Sequence, residues 1–383
     1  MPDSGGPDRR EVEKFAKTYG FGDPYVVEQF SWLLRITQCL TEILPGCAVR
    51  GGIGVMLNMP GDRPRRLSMD TDVDTNAARH LVEMAVRNLG ERFPQLDIRG
   101  PHTPKNRDRN LDLLTYYCKY DSVFGERGEV KVEIFYGQDT GRAMDVQMPE
   151  YARGIGPVFT VRAYGAEHMI GVKMTTLALR TIGIPAKRGV DIPKHIYDIA
   201  SLLKRSGASI SIAAVADSLE SAILGEISCV AEGRLRMDDV LDDLMKFPGD
   251  LLTNQVKLDT SHAGRLGTFS AKMLGSGYLR SDYIADVLLV RAAIGAALLV
   301  IDGSDAGNVQ LEVDELLDGL DQMSEMSDVE KGAEHRALVR RYGRDSPVGV
   351  YMKRLSPEQA HVYAWLDRMG LPWRGGHPAR RTT

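Results

Sequence analysis

Three aspartates at alternate positions, in Arg66-Leu67-Ser68-Met69-Asp70-Thr71-Asp72-Val73-Asp74, limit what this chain can fold into more than any other feature. On a β-strand, alternate residues point to one face, so Asp70, Asp72 and Asp74 crowd their carboxylates together. Desolvating like charges at that spacing costs several kcal/mol unless a cation neutralises them. A hard divalent ion with oxygen ligands is the natural partner. Upstream lies Gly51-Gly52, a turn that lets backbone N–H groups approach an anion such as a triphosphate. The first expectation is therefore metal-assisted chemistry on a nucleotide.

Other readings of the motif are weaker. An EF-hand also opens on D-x-D-x-D, but it needs Gly at its sixth position and Glu at its twelfth, where this chain has Thr75 and Leu81. A solvated acidic edge strand explains neither the glycine turn nor Arg66 and Ser68 beside the acids. The chain has no GxxxxGK[ST], no strand-linked GxGxxG and no GxSxG, which argues against P-loop, Rossmann and α/β-hydrolase sites. Cys39, Cys47, Cys118 and Cys229 are scattered, with no CxxC and no zinc-ligand spacing, so free thiols in a reducing cytoplasm are expected.

With 383 residues, 43% of them hydrophobic and 26% charged, the chain reads as a globular protein of more than one domain. The net charge of −4 predicts no global attraction to nucleic acid, but the charge is uneven. Residues 311–330 are rich in acids and contain no Lys or Arg, whereas 331–383 carry eleven Lys and Arg against four acids. The N-terminus has no apolar leader. The apolar run 284–301 is interrupted by Asp286 and Arg291 and reads as a buried helix, not a membrane span.

Apolar periodicity predicts a helix over 24–44, stopped by Pro45-Gly46, a short strand at 47–50, and a helix starting near Ile53. A basic loop over 60–66 precedes the aspartate strand, and a helix over about 76–93 follows it. Strands are expected at 96–99, 111–120 and 129–136, with a polar loop carrying Lys105, Arg107 and Arg109 between the first two. From about 166 to 326 the pattern is helical, and the basic tail holds one more helix near 357–369. The expected fold class is α+β: a mixed sheet with flanking helices over 1–165, an all-helical domain over 166–330, and a basic extension over 331–383.

Further chemistry lies outside the aspartate strand. In Val130-Lys131-Val132-Glu133-Ile134-Phe135 the valines and Ile134 take one face, and Lys131, Glu133 and Phe135 the other. Glu133 is thus placed to complete a three-acid metal site from a neighbouring strand. Lys173 is the only charge between Met169 and Leu179. So apolar a setting requires a snorkelling path or a buried anionic partner. If the helix continues, Arg180 shares its face seven residues on. In a later helix, Ile192, Ile196, Ile199 and Leu203 form the apolar stripe, with Lys194 and Asp198 together on the opposite face. That pair reads equally as a surface ion pair or as a cleft-facing one.

Taken in order, Gly51-Gly52, Arg66-x-Ser68-x-Asp70-x-Asp72, Glu133, Lys173 with Arg180, and Lys194 to Asp198 resemble the AbiEii/AbiGii-type nucleotidyltransferases. This family includes toxins of abortive-infection and mycobacterial (MenT-like) toxin–antitoxin systems. The resemblance covers about 49–203. It implies a nucleotidyltransferase fold in which Asp70 and Asp72, with Glu133, hold Mg²⁺ or Mn²⁺. Lys173 would bind phosphate, and Asp198 would orient that lysine or touch the nucleotide. Gly51, Gly52, Arg66, Ser68, Arg180, Lys187 and Arg188 would contact the nucleotide or its phosphates. The implied reaction is transfer of NMP from an NTP to an RNA acceptor, with the tRNA 3′ end as the acceptor in characterised relatives. An antitoxin would oppose it in the cytoplasm, with no membrane involved. Two alternatives stay open: a small-molecule nucleotidyltransferase of the aminoglycoside type, and a silent nucleotide-binding homologue. Ile53 and His195, which depart from the family pattern, favour the latter.

Overall fold

Asp23 and Pro24 start the helix on which the first part of the molecule is built. The Asp23 carboxylate accepts from the Tyr25 N–H, and Pro24 occupies the first turn of α2 (Pro24–Ile43). Before it, α1 (Arg9–Tyr19) is capped by Asp8 and ended by Gly20, whose φ is +77°. The computed structural model describes residues 5–59, 61, 66–102, 112–184, 191–206, 210–230, 234–247, 264, 266–270, 278–343 and 352–371. It divides into two units, Met1–Met169 with Ser270–Gly277, and Ile170–Phe269 with Tyr278–Thr383.

In the first unit the strands are β1 (Ala48–Arg50), β2 (Asp70–Asp74), β3 (Asp97–His102), β4 (Leu113–Asp121), β5 (Arg127–Phe135), β6 (Met144–Gln147) and β7 (Thr160–Ala163). They form one mixed sheet in the order β3-β4-β5-β2-β1-β7-β6. β2 runs parallel to β5 and antiparallel to β1, and β1 runs parallel to β7. Thr71 and Val73 point into the core, where Thr71 Oγ1 meets Thr37 Oγ1 of α2 at 3.1 Å. The opposite face of β2 carries the aspartates. Gln29 of α2 donates through Nε2 to the carbonyls of Met69 (3.2 Å) and Glu129 (2.8 Å), tying the start of β2 to β5. Two short helices complete the frame, α3 (Gly51–Leu57) and α4 (Arg79–Arg92). The expected turn at Gly51-Gly52 is thus the first turn of α3 itself. The expected mixed sheet is present, but α1, β6 and β7 lie outside the predicted elements.

The boundary between the units falls within α5 (Ala166–Thr175). The second unit is helical, as expected: α6 (Ile192–Ser206), α7 (Ile212–Ser228), α8 (Met237–Lys246), α9 (Arg280–Ile301), α10 (Ala306–Glu325), α11 (Asp328–Arg341) and α12 (Pro357–Arg368). Gly171 brings α5 onto α7, where a Cβ would lie 2.7 Å from the Leu219 nitrogen. The predicted stripe Ile192, Ile196, Ile199 and Leu203 is buried. α9 is long and apolar enough to cross a membrane, but most of it is buried against α6, α7 and α12. Within the basic C-terminal segment, α12 is integral to this unit. Trp365 Nε1 donates to the Glu312 carbonyl at 2.6 Å, and Arg368 pairs with Glu312 and Glu315, each at 2.8 Å. All four cysteines are free thiols, and burial pushes those of Cys47 and Cys118 up to about 12.

Candidate active site

The acidic strand is built against glycine backbone. Gly51 has a φ of +63°, and a Cβ on it would lie 1.9 Å from Asp72 Oδ2. A Cβ on Gly52 would lie 2.1 Å from Ser68 Oγ and 3.0 Å from Arg66 Nη2. The glycine turn and the R-x-S-x-D-x-D strand therefore meet in space as well as in order. Ser68 Oγ lies 3.1 Å from the Asp70 carbonyl and 3.3 Å from Asp70 Oδ1, and donates toward them. The buried Arg66 donates from Nη1 to the Leu67 carbonyl at 3.1 Å. Gly51→Ala is expected to cost about 1–3 kcal/mol through its positive φ and the displaced Asp72. A displacement near 1 Å lowers activity about 10²-fold. A thermal melt beside a transfer assay checks both.

The three aspartates do not share one environment. Asp70 and Asp72 are half-buried, whereas Asp74 is buried and engaged on both oxygens. Arg50 Nη1 reaches Asp74 Oδ1 at 3.0 Å, and the Tyr164 hydroxyl donates to Oδ2 at 2.8 Å. Arg50 also lies over the Phe135 ring, 4.6 Å from its centroid. Asp74 thus anchors the residue just before Gly51. On β5, Lys131 stands beside Asp70 and Glu133 beside Asp72, and Lys131 Nζ pairs with Glu133 Oε2. Burial opposes the Lys131 ammonium, but Glu133, Asp72 and Asp70 outweigh it and hold its pKa above the ordinary lysine value.

Lys131, Arg50 and Tyr164 are the members that sequence reasoning missed. Lys131 was in view, on the same strand face as Glu133. Tyr164 sits ninety residues after Asp74 and carries no local signal. Its ring stacks on His168 with centroids 4.3 Å apart. Burial, then the nearby Arg50, pull the His168 imidazole from 6.5 down to about 4. The unfolded chain therefore takes up this proton first. Stability is complete above 6.5 and falls as pH drops toward 4, by about 1–3 kcal/mol. Denaturant unfolding at several pH values is expected to show this slope, and His168→Gln to remove it.

In the second unit, Lys173 has the buried anionic partner its setting demands. Its Nζ lies 2.9 Å from Asp198 Oδ2, with the two side chains only 6% and 0% exposed. Of the two readings that the i,i+4 spacing with Lys194 left open, the surface pair is excluded for Asp198, which a tertiary partner takes into the interior. Arg180 is not on the Lys173 helix either. α5 ends at Thr175, and the hydroxyls of Thr175 and Thr176 bond back to the carbonyls of Val172 (2.7 Å) and Lys173 (2.6 Å). Arg180 is exposed in the following turn, where its N–H donates to the buried Asp243 at 2.7 Å. Lys187, Arg188, Lys105, Arg107 and Arg109 lie outside the described residues.

Among the described residues, no three His, Cys, Asp or Glu side chains converge as a metal cluster. Asp70 and Asp72 nonetheless suit a hard divalent ion. They are oxygen donors, half-buried on one face, and their field already stabilises a cation, the Lys131 ammonium.

A mixed sheet with paired acids on a central strand, packed against a glycine turn, fits the nucleotidyltransferase class that the resemblance implies. The model of the family described as nucleotidyl transferase AbiEii toxin, type IV TA system, matches residues 42–252, more than half of the chain. The chain belongs to this family of nucleotidyltransferase toxins of toxin–antitoxin systems. Among solved structures it is similar to MenT4, a nucleotidyltransferase toxin from Mycobacterium tuberculosis H37Rv. The TM-score is 0.49 at 13% identity, over 80% of this chain and 97% of that one. No curated protein matches the chain significantly.

Proposed function

We propose that the chain transfers a nucleoside monophosphate from an NTP to an RNA acceptor, the 3′ end of tRNA. The observation that carries this reading is the half-buried pair Asp70 and Asp72, with Asp72 packed on the backbone of Gly51. The acceptor hydroxyl forms a bond to the α-phosphorus, the bond to pyrophosphate breaks, and the hydroxyl proton leaves to a base. Asp70 and Asp72 would hold Mg²⁺ or Mn²⁺, which when bound neutralises triphosphate charge. Gly51 and Gly52 let the acidic strand pack directly on their backbone, and Ser68 and Arg66 brace that wall. Glu133, in register with Asp72, is the third acid of the face. Lys173, oriented by Asp198, is proposed as the phosphate-binding lysine, with Arg180, Lys187 and Arg188 as further phosphate contacts. The setting would be the cytoplasm, with an antitoxin as partner.

The test is labelling with each α-³²P-NTP, Mg²⁺ and total tRNA, beside the Asp70→Ala/Asp72→Ala variant. Label on RNA from the parent protein only is the expected result, and acceptor binding that weakens steeply with salt accompanies it. No label with any NTP overturns the RNA acceptor and points to a small-molecule substrate or a silent site.

A further inference from the structure

The third acid of the site is already occupied, and its occupant is part of the chain. In the parallel pairing of β2 and β5, Asp70 is the register partner of Lys131, and Asp72 of Glu133. Alternation puts all four side chains on one face, because Val130, Val132 and Ile134 fill the core on the other. That buried row fixes β5, and with it the place of the lysine stem. The Lys131 and Glu133 side chains are 30% and 22% exposed, so their pairing is only partly screened by solvent. No three-acid metal cluster forms among the described residues, and Glu133 pairs with Lys131.

We propose that Lys131 is a fixed cation of the site: it holds Glu133 and takes the place of a second metal ion, leaving one divalent ion at Asp70 and Asp72. This rests on the reading of those two aspartates as the metal-holding acids. The pairing supports it: Glu133 already has a cation in Lys131, whose Nζ meets Glu133 Oε2. A second ion would have to displace Lys131 from Glu133 and share a face with it.

The experiment counts Mn²⁺ bound per chain by electron paramagnetic resonance of the free ion, with the full-length protein and Mn²⁺ alone. The parent is expected to bind about one ion, and Asp70→Ala/Asp72→Ala none. Lys131→Met frees Glu133 and is expected to bind about two, and Lys131→Met/Glu133→Gln to return to one. Glu133→Gln alone leaves the count at one, and this arm stands even if Lys131→Met fails to fold. The proposal is overturned if the parent binds two ions and Glu133→Gln loses one, or if folded Lys131→Met still binds one. Absence of Mn²⁺ from the parent, or binding untouched by the double alanine variant, overturns the assignment of Asp70 and Asp72 itself.

Discussion

Replacing Asp70 and Asp72 together by alanine is expected to lower nucleotidyl transfer by on the order of 10³-fold or more, while the melting temperature holds or rises. The loss follows from removing the only two half-buried acids that stand together on β2, where charge compensation of the triphosphate would otherwise be organised. The thermal result has a different origin. Two carboxylates on one strand face repel each other, and the Lys131 ammonium beside them offsets only part of that repulsion because it is shared with Glu133. Asp74→Ala should behave in the opposite sense. It strips Arg50 and Tyr164 of a buried partner and lowers stability, although it belongs to the same D-x-D-x-D run. Transfer assays paired with melts of the two variants separate the roles. A double alanine variant that melts early would mark the acids as structural.

The second large effect is expected at the Lys173–Asp198 pair. With the carboxylate fully buried, removing either partner leaves a charge that water cannot reach, at a cost of about 3–5 kcal/mol. For a unit of this size that lowers the melting temperature by on the order of 10 °C. Replacing both, as Lys173→Met/Asp198→Leu, should restore most of the loss, because a buried ion pair is worth little net against apolar side chains of similar volume. The double variant thereby tests function apart from folding. If Lys173 binds phosphate, the restored protein stays inactive; if it transfers nucleotide normally, the pair serves only the packing of its unit.

Much of this arrangement was legible residue by residue. Alternation on β2 and β5 sorted the aspartates onto one strand face and Glu133 onto the face opposite the β5 valines, and the structure buries Thr71, Val73 and those valines. Pro24 and Pro45-Gly46 bracketed α2 to within a residue or two. Local spacing does not reveal tertiary partners. The i,i+4 spacing of Lys194 and Asp198 left a surface and a cleft-facing reading open, and Asp198 pairs with a lysine on another helix. Asp74 fits the acidic alternation, yet Arg50 and Tyr164 neutralise it. Arg180 was placed on a helix that two threonines end early. β6 and β7, four residues each, are too short to show a period of two, and their place is set by pairing with β1 and with each other.

The sheet order carries a consequence for how such a chain is made. β2 takes β5 as its parallel partner, and β1 takes β7, so both central strands depend on segments synthesised much later. Contacts this distant in sequence raise the contact order and slow folding. Asp70, Asp72 and their glycines leave the ribosome early, but a nascent chain shorter than Phe135 has no β5 to set beside them, and one shorter than Ala163 leaves β1 with an open edge. A protein from a toxin family thus completes its acidic face only after most of its first unit has been translated.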